Sequence, residues 1–272
     1  MSTINKAVGN IKNDYWLEMR NIDLSIDKEI IFSNLNLDLS LNENTIFIGP
    51  NGSGKSTIFN LINRSNYPLV KDGSSIKIFN KENINIWELR QKISFVNNEI
   101  EYRIYPNLLV KEVVLSGLKG KYNLRKNDLI TSIDLEKSNN ILKIFDLLKI
   151  KNKKYKNLSQ GLKRKVLIAR AIVNNPMIIA LDEPLANLDF KSKKLILDAI
   201  KNIQKNGTTL LQVSHTIESV SEYTTTIILL KEGKILKKGA PKDILTSKNI
   251  SELFDMPIRV FKNHNFWQLV YD

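Results

Sequence analysis

The sequence predicts an α/β fold in which a mainly parallel sheet is flanked by helices, with an antiparallel β region at the N-terminus and an inserted helical subdomain. Short apolar strands alternate with helical segments in the second half of the chain, which is the order of βαβ units. A buried strand also leads into a glycine-rich loop and then a helix. A long stretch from about 99 to 175 has helical character and separates strands of the same sheet.

The strands are predicted from the apolar pattern. Residues 15–25 and 35–41 alternate apolar and polar side chains, as half-buried antiparallel strands do. Short apolar runs predict further strands, in chain order, at 46–48, 74–79, 92–96, 177–181, 208–213 and 226–230.

The helices are predicted where apolar residues recur with a period of 3.6. The clearest stripe runs from Ile141 to Leu148, and residues 112–115 suit another helix of the same region. Two more helices are expected at 191–205 and 217–222. We therefore expect one main domain at residues 15–240 with a helical subdomain inserted at about 98–175. Residues 241–272 are expected to form a C-terminal extension.

The composition limits the class of protein. The chain has 272 residues with 42% apolar side chains, which is enough for a sizeable core, and it has no cysteine. Disulfides, thiolate metal sites and cysteine nucleophiles are therefore excluded. Residues 1–20 are polar and mixed, and no apolar run approaches the roughly 20 residues of a membrane span. We expect a soluble, cytoplasmic protein, for which any membrane role would come through a partner.

The formal net charge is +13, and its distribution is uneven. Residues 119–166 contain 14 Lys and Arg against 4 Asp and Glu. A solvated lysine-rich surface is the simplest interpretation, because Lys, Asn and Ile are in general excess. Anionic lipid headgroups, the acidic loop of a partner and nucleic acid are the alternatives for this stretch.

A phosphate-binding loop of the Gly-x-x-x-x-Gly-Lys-Ser type follows strand 46–48 directly. Its glycines let the backbone curl around a polyphosphate, and the N–H groups that follow form an anion-binding concavity at a helix N-terminus. Lys55 is expected to reach the β- and γ-phosphates, and the Ser56 hydroxyl to bind Mg²⁺. The predicted nucleotide-binding residues are Gly49, Pro50, Asn51, Gly52, Ser53, Gly54, Lys55, Ser56 and Thr57.

Two carboxylates, Asp182 and Glu183, end the apolar strand 177–181. Acidic residues at the end of a buried strand indicate a cationic or reactive neighbour. Ligands of doubly wound sheets lie at the carboxyl ends of the strands. Asp182 is suited to bind Mg²⁺, directly or from the second shell, and Glu183 can polarise a water molecule for attack on the γ-phosphate.

Two further segments carry candidate site residues. Ser159 is placed to cap the helix that follows it, and Gly161 lies in the first turn of that helix, where glycine lowers helix stability. Asp189 follows the acidic strand in Asn187-Leu-Asp189. His215 follows strand 208–213, so it is expected at the same sheet edge as the two carboxylates.

In this order the segments Gly49–Thr57, 158–161, 178–183, 187–189 and His215 resemble an ABC-type ATPase subunit over residues 15–240. The resemblance implies a P-loop NTPase fold and a head-to-tail dimer that holds two ATP molecules with Mg²⁺. Each phosphate loop would face Ser159 and Gly161 of the other subunit. The family pattern makes Glu183 the general base, brings His215 to the γ-phosphate and places Asp189 at the dimer interface.

The chain departs from the family pattern at several positions. Asn98 stands where the family has a Gln near Mg²⁺, and we expect it to fill that role, through water if necessary. Ile26 aligns with the aromatic residue that stacks on adenine, which predicts weak discrimination between ATP and GTP. Gln160 and Leu162 replace the usual Gly and Gln, and Asn42 stands where a turn glycine is common.

The resemblance implies the ATP-hydrolysing subunit of a membrane transporter, peripheral on the inner face of the cell membrane and bound to polytopic permease subunits. Residues 110–117 and 233–245 are similar to importers of metal chelates, cobalamin and molybdate, so an importer of a metal, metal complex or cofactor is favoured. A soluble ABC ATPase, for example in iron–sulfur cluster assembly, is the alternative. A nucleic-acid-linked ABC protein is least favoured, since the chain has one cassette and no heptad run, so no nucleic acid is expected as partner.

Overall fold

The computed structural model describes residues 15–125, 127–264 and 266–271. The strands are β1 (Tyr15–Ile26), β2 (Glu29–Ser40), β3 (Thr45–Ile48), β4 (Ser75–Ile78), β5 (Ile93–Val96), β6 (Ile178–Asp182), β7 (Thr209–Ser214), β8 (Thr226–Lys231), β9 (Lys234–Gly239), β10 (Ile258–Asn263) and β11 (Phe266–Tyr271). The helices are α1 (Lys55–Ile62), α2 (Ile86–Lys92), α3 (Asn98–Arg103), α4 (Val110–Leu118), α5 (Ser132–Ile144), α6 (Gln160–Ile172), α7 (Phe190–Lys205), α8 (Pro241–Ile244) and α9 (Ser247–Phe254), with 3₁₀ turns at Leu148–Ile150 and Tyr155–Asn157.

The central sheet has the strand order β5-β6-β7-β3-β8-β9, and each of its pairs is parallel except β8 with β9. Its inner strands are buried on both faces; β3 and β7 show no exposed residue. This is the burial expected of a parallel sheet covered by helices. The parallel pairing brings the carboxyl ends of β3, β6 and β7 to one edge.

The N-terminal strands form a separate antiparallel sheet in the order β2-β1-β4. It packs its apolar face, which includes Leu17 and Leu37, in one cluster with α1 residues such as Ile58. The helices α3 to α6 lie between β5 and β6 in the chain and share a second cluster with one face of the sheet. The predicted α/β class, with its mainly parallel sheet and antiparallel β region, is confirmed.

Several elements differ from the predictions. The helix expected at 217–222 is wrong, because this segment forms turns in which hydroxyl side chains bind the backbone. Ser214 Oγ accepts a hydrogen bond from Thr216 N, and Thr224 Oγ1 accepts one from Ser221 N. Such local bonds compete with helix formation. Helix α2 and the elements after β8 were outside the predicted set, and β2 begins at Glu29, six residues before its predicted start at 35.

Among the described residues, no helix combines the length and apolar character that crossing a bilayer would require.

Candidate nucleotide-binding site

The glycine-rich loop lies at the carboxyl end of β3, which is flanked by the parallel strands β7 and β8. Gly54 has φ 97°, in the left-handed region, and a Cβ there would lie 2.7 Å from Phe32 Cε1. A Cβ at Gly49 would collide with the carbonyl oxygen of Leu230. These two positions therefore require glycine. Helix α1 begins at Lys55, so its positive end faces the loop.

Lys55 lies inside the loop, with only 5% of its surface exposed. Its Nζ donates hydrogen bonds to the carbonyl oxygens of Gly49 (2.9 Å) and Pro50 (2.7 Å). Burial lowers the pKa of the amine, and the nearby carboxylates of Glu183 and Asp182 oppose that shift. The ammonium group is thus held by two backbone acceptors inside the glycine-rich loop.

Ser56 and Asp182 are brought together across the chain by α1 and β6. The Ser56 hydroxyl donates a hydrogen bond to Asp182 Oδ1 at 3.2 Å. Burial raises the pKa of Asp182, while the bond from Ser56 and the charge of Arg164 act to lower it. A hydroxyl and a carboxylate are the hard oxygen donors that Mg²⁺ prefers. Among the described residues, no group of three or more His, Cys, Asp or Glu side chains could hold a metal ion.

Glu183 and His215 form a second pair at the same sheet edge. Because β6 and β7 are neighbours, Glu183 N donates a hydrogen bond to Val213 O at 3.0 Å, and His215 Nδ1 lies 3.3 Å from Glu183 Oε1. Glu183 has φ 45°, a left-handed conformation that is unfavourable for a residue with a Cβ. Both side chains line a cavity of about 130 Å³. The carboxylate of Glu183 therefore faces a space that can hold water, and the imidazole of His215 can orient this carboxylate.

Ser159 caps α6, its hydroxyl accepting a hydrogen bond from Leu162 N at 3.4 Å. Gly161 is in the first turn because a Cβ there would collide with Ser192 on α7. Asp189 caps α7 through Ser192 N, which donates at 2.7 Å, and this bond lowers the pKa of Asp189. Within the described part of the chain, no hydrogen bond joins Ser159 or Asp189 to loop 49–57.

The contacts described above involve neither Asn98 nor Ile26, two further residues predicted from the sequence. The side chain of Asn98 is outside the described part of the structure; α3 begins there and is capped by Asn97, whose Oδ1 accepts from Ile100 N. Ile26, at the end of β1, is 38% exposed.

Sequence reasoning missed Arg164. It is buried, with 6% of its surface exposed, on the inner side of α6, and its charge acts on the carboxylate of Asp182. It also lines a cavity of about 160 Å³ together with Glu101 and Gln160. A signal was present, because the 3.6-residue period of α6 places position 164 on the same face as Leu167, Ile168 and Ala171.

Three features meet at the ends of the parallel strands: the lysine-bearing loop, the Ser–Asp pair and the Glu–His pair. Together they define a P-loop nucleoside triphosphatase. The family model described as ABC transporter matches residues 32–186, which is more than half of the chain. The chain belongs to the ABC transporter family, and it is an ATP-binding ATPase subunit of that family. The resemblance seen in the sequence is confirmed.

Two relatives support this assignment. An uncharacterised ABC transporter ATP-binding protein of Bacillus subtilis is 29% identical over 92% of this chain and 94% of its own length. A spermidine/putrescine import ATP-binding protein of Clostridium acetobutylicum is 33% identical over 86% of this chain and 64% of its own.

Solved structures with the same fold include ATP-binding cassettes. One belongs to a transporter assigned to the metal-chelate type in an inward-facing conformation, with a TM-score of 0.76, 25% identity, and coverage of 95% of this chain and 98% of that one. CbiO1 from Clostridium perfringens, part of the ABC transporter complex CbiONQ, has a TM-score of 0.74 and 26% identity over 88% of this chain and 94% of its own. A dimeric cassette in a post-hydrolysis state with ADP and Pi bound has a TM-score of 0.67 and 29% identity over 82% of this chain and 98% of its own.

Proposed function

We propose that this ATPase is the motor subunit of an importer for a metal, metal complex or cofactor. The observation that carries the motor role is the meeting of Lys55, the Ser56–Asp182 pair and the Glu183–His215 pair at one sheet edge. Import is supported by the relatives named as spermidine/putrescine import proteins, and the substrate class by the neighbours of the metal-chelate type and CbiONQ.

The site residues take distinct roles in this proposal. Lys55 would leave its backbone acceptors and bind the β- and γ-phosphates, at the positive end of α1. Ser56 and Asp182 would hold Mg²⁺, which neutralises charge on the phosphate oxygens when bound. Glu183 would accept a proton from the water in its cavity, and His215 would keep that carboxylate oriented and contact the γ-phosphate.

The remaining predicted residues are explained by a second copy of the chain. Ser159 and Gly161 lie at the N-terminus of α6, and Asp189 at the N-terminus of α7, away from their own loop 49–57. A head-to-tail dimer would bring the N-terminus of α6 onto the ATP held by the other copy. The dimeric cassette with ADP and Pi bound supports the formation of a dimer.

The transporter role also implies a place and a partner. We propose that the chain lies peripherally on the inner face of the cell membrane, bound to polytopic permease subunits, with residues 15–240 as the ATPase domain, about 98–175 as its helical subdomain and 241–272 as a C-terminal extension. CbiO1 is part of the ABC transporter complex CbiONQ, which supports a partner of this kind. The alternative, a soluble ABC ATPase in iron–sulfur cluster assembly, needs no permease.

The proposed function is tested by co-expressing this chain with any polytopic membrane protein that a neighbouring gene encodes. The pair is expected to purify together in detergent, and the complex to hydrolyse ATP at full rate only when this chain carries Glu183. A matched complex with Glu183→Gln should assemble and hydrolyse ATP about a hundred-fold more slowly, or slower still. An active ATPase that never retains a membrane protein would instead support the soluble alternative.

The exposed Ile26 predicts weak selection of the nucleobase. An aliphatic side chain packs on adenine without the stacking contribution of an aromatic ring, about 0.5–1.5 kcal/mol. Competition binding should give ATP and GTP similar affinities, and Ile26→Tyr should favour ATP by roughly two- to ten-fold. Leu129→Tyr, at a position that is 87% exposed, serves as the control. A strong adenine preference in the unmodified chain would contradict the prediction.

Asn98 is expected to support the cation, as its position in the family pattern implies. Asn98→Ala should raise the Mg²⁺ concentration needed for half-maximal ATP turnover several-fold, because an amide oxygen near the metal is lost. The neighbouring Asn97→Ala is the control for the loss of a helix cap at the same place. Unchanged Mg²⁺ dependence in Asn98→Ala would remove this assignment.

A further inference from the structure

The segment between α5 and α6 is unusually basic. Between Leu147 and Leu158 it contains five lysines and no Asp or Glu. We call these five residues the lysine strip: Lys149, Lys151, Lys153, Lys154 and Lys156. Nothing in the proposed ATPase site uses them.

The backbone of the lysine strip is held in place by the residues that lead into α4. Lys153 O accepts a hydrogen bond from Val110 N at 3.0 Å, and Tyr155 N donates to Leu108 O at 2.8 Å. Tyr155 itself is buried in the core, 3% exposed. The lysines therefore point outward from an anchored segment: Lys151 is half-buried, and the other four are exposed.

The structure separates the basic stretch 119–166 into two parts. Lys119 lies 2.7 Å from Asp134, and Lys121 pairs with Asp128, so the charges of these two lysines are balanced within the chain. Across the described residues, no ion pair involves a member of the lysine strip, in contrast to Lys119 and Lys121. The carboxylate nearest along the chain, Asp146, acts on Lys165 instead. The positive charge of the strip is thus available to an external anion.

Exposed apolar side chains border the lysine strip. Leu148 and Ile144 precede it and are 39% and 45% exposed. Tyr105, which is 63% exposed, adjoins it where Lys156 N donates a hydrogen bond to Pro106 O at 2.9 Å. Lysines mixed with aliphatic and tyrosine side chains are typical of surfaces that rest on a membrane.

We propose that the lysine strip binds the anionic headgroups of a lipid bilayer directly. Clusters of this size gain free energy from each lysine brought near an anionic surface. The aliphatic side chains at Ile144 and Leu148 favour lipid over nucleic acid, since they gain nothing from a phosphodiester backbone. The strip also lacks arginine, the side chain best suited to nucleic acid recognition. This contact is additional to the permease and does not depend on it.

The test is co-sedimentation of the full-length chain with vesicles of phosphatidylcholine, with or without phosphatidylglycerol. The chain should bind only the anionic vesicles, and binding should fall as salt is raised. The triple variant Lys153→Gln/Lys154→Gln/Lys156→Gln should lose about ten-fold or more in apparent affinity. The control triple Lys237→Gln/Lys242→Gln/Lys248→Gln has the same net charge and also changes exposed lysines, and it should bind as the unmodified chain does.

Three results would overturn the proposal. The first is equal binding to vesicles with and without phosphatidylglycerol. The second is an equal loss in both triple variants, which would make the effect one of net charge alone. The third is binding of a short single-stranded RNA, but not of vesicles, through the same lysines. The vesicles contain no permease, so none of these results bears on the transporter role.

Discussion

Replacing Glu183 with Gln is expected to lower ATP turnover by about two orders of magnitude or more, while ATP binding is retained. The amide has nearly the same shape, but it cannot accept the proton of the attacking water. The change also leaves the sheet edge intact, because Glu183 N still donates to Val213 O. ATP that is bound but not hydrolysed should accumulate the closed dimer.

The measurements are steady-state ATP hydrolysis and size-exclusion chromatography with ATP and Mg²⁺. Glu218→Gln is the matched control, since Glu218 lines the same cavity but forms an ion pair with Lys193 at 2.6 Å. Turnover should be nearly normal in the control. Normal turnover in Glu183→Gln would remove Glu183 as the base, and a monomeric elution of that variant with ATP would count against the dimer.

Replacing Lys55 with Met is expected to lower ATP affinity by about a hundred-fold, because two charge-assisted hydrogen bonds to phosphate are lost. The unliganded protein should still fold. Methionine fills a similar volume, and it removes an ammonium group whose burial is unfavourable, as the lowered pKa of Lys55 indicates. This gain in folding free energy is offset by the loss of the hydrogen bonds that Lys55 Nζ donates to the carbonyl oxygens of Gly49 and Pro50.

Thermal unfolding with and without MgATP separates the two effects of Lys55→Met. The unmodified chain should melt at a higher temperature when ATP is present, because a ligand that binds only the folded state stabilises it. The variant should melt close to the unliganded protein at every ATP concentration. Lys77→Met, on β4, is the control and should keep the full ATP-dependent shift. An equal shift in Lys55→Met would contradict the assigned role.

The parts of the fold and site that could be predicted share one property: they follow from local sequence. A buried strand followed by Gly49–Thr57 and then a helix is rarely anything other than a phosphate-binding loop. Acidic residues directly after an apolar strand predict that Asp182 and Glu183 lie at a sheet edge. Parallel pairing then brings His215 beside Glu183, at 3.3 Å. These arguments need only the period of the strands and the direction in which they run.

The parts that escaped prediction depend on contacts between segments far apart in the chain. Gly161 looked like an unfavourable helix residue, and its reason is the approach of Ser192, 31 residues later. Arg164 was missed although the period of α6 marks its buried face, because its charge acts on the carboxylate of Asp182 on a different element. The false helix at 217–222 came from the apolar Ile217 and Val220, while the hydroxyl bonds that form its turns leave no periodic pattern.

The close approach of Gly161 to Ser192 has a mechanical consequence. Ser192 N is also the donor that holds Asp189, so the start of α6 packs directly against the first turn of α7 and its cap. In the proposed dimer, a shift of α6 toward the neighbour's γ-phosphate would carry Asp189 with it. Binding of ATP at one of the two sites of the dimer would then affect the other site through the direct contact between α6 and α7.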